Sequence, residues 1–156
     1  MSGNKPRYES LCDQLQAVFD GEPWYGDSLI AKLEMIRAEV EEPSDLNKTA
    51  SYVQHLINWR QFVIKKLIGD IDFDITLNTT ADWTDINIEH FEAWDHLLEL
   101  LRDTQNQLVT LIRSLSNEVL IKQVPGKDYS FEHMLHGLIQ HEVYHTGQIA
   151  VYWKNR

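Results

Sequence analysis

The stretch from Ser130 to Trp153 reads SFEHMLHGLIQHEVYHTGQIAVYW, and its spacing decides the fold. Ser130 has the residue type of a helix N-cap, and no proline lies between it and Trp153. Met134, His141, His145, Gln148 and Tyr152 project as one narrow stripe, with Leu138 and Ile149 at its edges. The stripe is mainly apolar, so the spacing predicts a long helix that turns this face inward. His141 and His145 stand four apart, about 40° from each other in projection. Two imidazoles so placed can reach one metal ion. Buried together without a partner they would be costly, and a metal satisfies their ring nitrogens.

His141-Glu142-Val143-Tyr144-His145 also matches the H-E-x-x-H pattern of zinc peptidases, in which the glutamate is general base. That reading needs a third ligand, and the chain does not supply it nearby. The position where one such class places a histidine is Val151, and only 11 residues follow His145. A peptidase also needs a strand edge, and strand signal is thin. A metalloprotease is disfavoured.

The rest of the chain is helical in period almost throughout. Helices are predicted over Tyr8 to Phe19 and over Ser28 to Val40. Gly21-Glu22-Pro23-Trp24-Tyr25-Gly26 separates them. A longer helix is predicted from Asn47, as N-cap, to Ile68, closed by Gly69. Asp70 to Thr84 is the one non-helical tract; Ile71 to Leu77 alternates like a short strand, but a loop is expected. Ile86 to Leu120 is predicted as helix in a single run, ended by Pro125-Gly126. Four long helices without repeats or linkers predict an all-α, antiparallel four-helix bundle, up-and-down or crossover, forming a single domain over residues 1–156.

Composition agrees. The chain has 156 residues, 43% hydrophobic and 24% charged, an ordinary globular balance. The formal net charge of -10 repels phosphate backbones, so no nucleic-acid partner is expected. No apolar run nears the roughly 20 residues of a membrane span, so no membrane role is expected. Met1 to Tyr8 lacks the apolar core of a secretion signal. Cys12, the one cysteine, reads as a small core hydrophobe between Leu11 and Leu15. A cytoplasmic location is expected.

A third metal ligand must come from earlier in the chain. His90 and His96 project about 120° apart among acidic residues and read as a solvated face. His136 lies on another face from His141, and His133 is a weak alternative. His55 lies mid-helix with Tyr52, Trp59 and Phe62 on its face, so it should point inward. Three neutral imidazoles suit zinc and leave a position open for water or substrate; nickel or iron would also accept them.

Taken together, these residues resemble the DinB-like (damage-inducible) superfamily of metal-binding four-helix bundles. The resemblance is carried by Gly21 to Gly26, by His55 with Trp59-Arg60 and Gly69, and by His141 to Ile149, an H-x-x-x-H-x-G-Q-I pattern. It covers nearly the whole chain and implies metal ligands at His55, His141 and His145. It further implies a homodimer and a transferase that joins a low-molecular-weight thiol to an electrophilic small molecule. Two other readings stand beside it. One is a metal-dependent hydrolase with Glu142 as base. The other is a non-catalytic bundle that binds metal or dimerises. Gln148 is placed to bond a metal-bound water or a ligand imidazole. Trp24, Trp59 and Tyr152 are candidate pocket walls.

Overall fold

The computed structural model describes residues 5–156. Six α-helices are found among them: α1 (Arg7–Asp20), α2 (Leu29–Glu39), α3 (Asn47–Leu67), α4 (Phe91–Arg113), α5 (Asn117–Leu120) and α6 (Phe131–Lys154). The described residues hold no strand, only one isolated bridge between Gln123 and Ser130. The fold is the expected all-α bundle, and none of its helices is long and apolar enough to cross a membrane.

α1, α3, α4 and α6 form the four sides of the bundle, and α2 packs on α1 and α6. The side-chain pairings give the directions. Arg7 meets Glu132, so α1 and α6 run together. Asn47 meets Ile88 and Arg60 meets Gln105, so α3 and α4 run together, opposite to the other two. This is the crossover form. Because α3 and α4 are parallel, residues 68–90 must travel back along the whole bundle. A 21-residue helix is about 30 Å long, which accounts for so long a connection.

The local signals explain most element ends. Ser130 and Ser28 cap α6 and α2 through their hydroxyls. Gly69 takes a positive φ of 88° just past α3, and the amides of Gly69 and Asp70 close back on Lys66 and Lys65. Asn47 does not cap α3. A 3-10 turn, Pro43–Leu46, leads straight into the helix. The Asn47 amide side chain instead reaches the backbone of Ile88 and the side chain of Asn87. The single helix expected over Ile86 to Leu120 is also corrected. Residues 86–90 form no helix; the Ile88 amide bonds to the Asn47 side chain and ties this segment to the start of α3. α4 then ends at Arg113, where Ser114 turns its hydroxyl onto Leu111, and α5 is a separate single turn.

The interior has two apolar clusters. One gathers Phe19, Leu33, Leu56, Trp94 and Ile149; the other gathers Leu15, Phe62, Leu108, Leu135 and the buried Cys12. Between them lies a polar layer. Arg60 of α3 donates to Gln105 of α4 at 2.7 Å and pairs with Glu142 of α6, all three buried. The layer ties three sides of the bundle at one level.

Candidate metal centre

α3 and α6 run antiparallel, so Tyr52 faces His145 and Trp59 faces His141. His55 comes between them. Its Nε2 lies 3.0 Å from Nε2 of His141 and 3.0 Å from Nε2 of His145, and those two are also 3.0 Å apart. The three residues expected from the sequence are thus brought to one point, and as a cluster they could hold a metal ion.

The opposite ring nitrogens show which way the lone pairs face. His55 Nδ1–H donates to the backbone oxygen of Asp82 at 2.9 Å, with the Asp82 carboxylate 3.1 Å away. His145 Nδ1–H donates to Gln148 Oε1 at 2.6 Å. Both rings therefore carry their proton on Nδ1 and point a bare Nε2 lone pair at the centre. His141 Nδ1 is buried with no protein partner. Three nitrogens 3.0 Å apart cannot all be satisfied by one another. Between His55 and His145, two acceptors face each other with no hydrogen to share. Extra protons are not the remedy at neutral pH. Burial, then the neighbouring His145 and His55, pushes His141 down to about 3. Burial and His55 push His145 down to about 4. A point about 2.0–2.1 Å from all three nitrogens lies just off their plane. Neutral imidazole donors so arranged fit a divalent cation.

The setting of the imidazoles comes partly from the long connection. Asp82 is buried although the six residues before it are exposed. One carboxylate oxygen accepts from the Trp59 indole at 2.8 Å and the other from the Asn78 amide at 2.8 Å. Burial alone would raise this carboxyl, but those two donors and His55 outweigh it and hold it below its ordinary value. Trp83 stacks flat on His55, with ring centroids 3.9 Å apart. Neither residue carried a periodic signal. The available clue was the length of the loop, since long structureless loops in compact folds tend to be functional.

Gln148 bonds the His145 imidazole, as its place in the stripe suggested. Trp59 lines the site. Trp24 is fully exposed and walls nothing, and Tyr152 lies outside the cavity, on a separate shallow depression. His90, His96, His133 and His136 are exposed, and His133 reaches only the cavity rim. Glu142 is not aimed at the imidazoles. It is buried beside them on α6, against Arg60 of α3, and lines no part of the cavity. Burial pushes its carboxyl up, against the pull of Arg60.

The imidazoles open into a cavity of about 730 Å³ along the α3–α6 groove, walled by Tyr52, Trp59, Phe62, Tyr129 and Leu138. The whole is a four-helix bundle with a three-histidine centre at the base of an apolar cleft. The DinB superfamily model matches residues 29–149, and the chain belongs to that superfamily. No curated protein and no solved structure matches it.

Proposed function

We propose that the protein is a divalent-metal-dependent transferase that joins a low-molecular-weight thiol to an electrophilic small molecule. The observation that carries this reading is the convergence of three Nε2 atoms at the base of an open cavity. His55, His141 and His145 would hold the metal, with zinc the first candidate and nickel or iron(II) next. Bound there, it would lower the pKa of a thiol so that thiolate is present at neutral pH.

The protein's own groups do the rest. Asp82 and Gln148 fix the ring orientation of His55 and His145. Trp83 and Tyr52 cover the imidazoles, and Trp59 and Phe62 exclude water from the cleft beside them. The cavity has room for a small thiol and an acceptor together. The thiol proton is lost to solvent. The sulfur forms a C–S bond, and the displaced group leaves with the electron pair of the bond that breaks.

A hydrolase needs a base for its water, and the geometry does not favour one. Glu142, the candidate, is held by Arg60 outside the cavity. Asp82, the one carboxylate lining it, is tied to Trp59, Asn78 and His55. The test is thioether formation from a panel of small thiols and a chloronitroarene, followed by absorbance with metal-loaded protein. The expected result is turnover that stops on chelation and in His145→Ala. Rates equal to buffer, or unchanged by chelator, would contradict the proposal.

A further inference from the structure

Gly137 sits in the second turn of α6, one turn ahead of His141, on the cavity wall. Glycine is the poorest helix former after proline. Inside a helix it usually marks the close approach of another element. No such approach exists here, because a methyl group built on Gly137 would meet nothing within 4 Å. Packing does not require the glycine. What the missing side chain leaves is space beside the metal centre.

That space has a definite chemistry. Away from the imidazoles the cavity runs between α3 and α6 past Phe62, Val63, Met134 and Leu138 to Tyr129, with Leu77 of the long connection over it. These are apolar or aromatic side chains, with His133 at the rim beside Tyr129. The one carboxylate in the lining, Asp82, already has its partners. The arm therefore suits an uncharged, apolar group.

We propose that Gly137 is a specificity-determining residue: it keeps open an apolar arm that takes the aryl or alkyl body of the substrate while the reacting end lies over His55, His141 and His145. The position of the reacting end rests on the proposed metal chemistry; the arm itself does not.

The test is binding, measured without turnover. The probes are phenylalkanoates of increasing chain length, with acetate as the short control. The protein is the full chain, zinc-loaded and chelator-treated, and the readouts are calorimetry and tryptophan quenching. In the wild type, affinity should rise about fourfold per added methylene until the arm is full. Gly137→Leu should weaken the longest probe at least tenfold, leave acetate unchanged and retain full zinc. Gly147→Leu on the same helix, where a methyl also meets nothing but the site is outside the cavity, should leave the series unchanged. Gly137→Ala keeps the test open if the leucine variant fails to fold; it should raise the Tm and still weaken the longest probe. Chain-length-independent binding in the wild type, or equal binding by wild type and both Gly137 variants, would overturn the proposal. Chain-length dependence without thiol transfer would overturn the transferase reading alone.

Discussion

Asp82 does for His55 what Gln148 does for His145: it holds the Nδ1 proton, so the opposite nitrogen faces the centre with its lone pair. Outer partners of metal-bound histidines typically contribute 10–100-fold in affinity. Asp82→Ala keeps the backbone oxygen that accepts from His55 but removes the carboxylate that seats it on Trp59 and Asn78, so it should lose about 10-fold in zinc affinity by chelator competition while keeping its helical circular dichroism. Unchanged affinity would show that the Asp82 carboxylate has no part in holding His55. The depressed imidazoles also set a pH dependence. His141 and His145 titrate near about 3 and about 4 in the fold, and near 6.5 once unfolded. The unfolded chain binds more protons in that window. Stability of the metal-free protein is then fully present above about pH 6.5 and is lost as pH falls toward about 3. Urea midpoints of chelated protein should fall over that range, and less steeply in His141→Phe. An equal slope in the variant would contradict the assignment.

At the scale of elements, the polar layer fixes the height of α3 against α6, and so the meeting of His55 with His141 and His145. Glu142 follows His141 directly, and Arg60 lies five residues after His55, on the side away from the cavity. Removing one member leaves a buried charge without its partner, at a cost of about 3–5 kcal/mol. Glu142→Ala should show that loss in denaturant unfolding, and Arg60→Met with Glu142→Leu should recover most of it. A loss below about 1 kcal/mol in the single variant would mean the pair is not buried as described. Much of the site was legible because helices carry period: His55, His141, His145 and Gln148 follow from which face is apolar. The rest lacked such a signal. Asp82 and Trp83 lie in a stretch with no repeat, and their role comes from where the crossover runs. Arg60 is a charged residue that a helical wheel assigns to solvent until its partner is known. Ile86 and Ile88 imitate a first helical turn, and the segment is instead tied to the start of α3 by Asn47.

For the whole molecule, the parallel placement of α3 and α4 joins topology to chemistry. The connection that must cross the bundle is the one that delivers Asp82 and Trp83 to the imidazoles. A metal bound there stabilises the state in which this segment is seated. Metal should therefore slow proteolysis within residues 71–84, and equal cleavage with and without metal would contradict the coupling. A ligand at about 100 times its Kd adds about 2.7 kcal/mol, so saturating metal should raise the Tm by about 5–10 °C. The most direct test of the central claim is metal per chain, measured by elemental analysis on protein purified without a histidine tag. Wild type should hold about one divalent ion, and His55→Ala, His141→Ala and His145→Ala should each lose it while remaining helical. Full metal retention in all three variants would contradict the account.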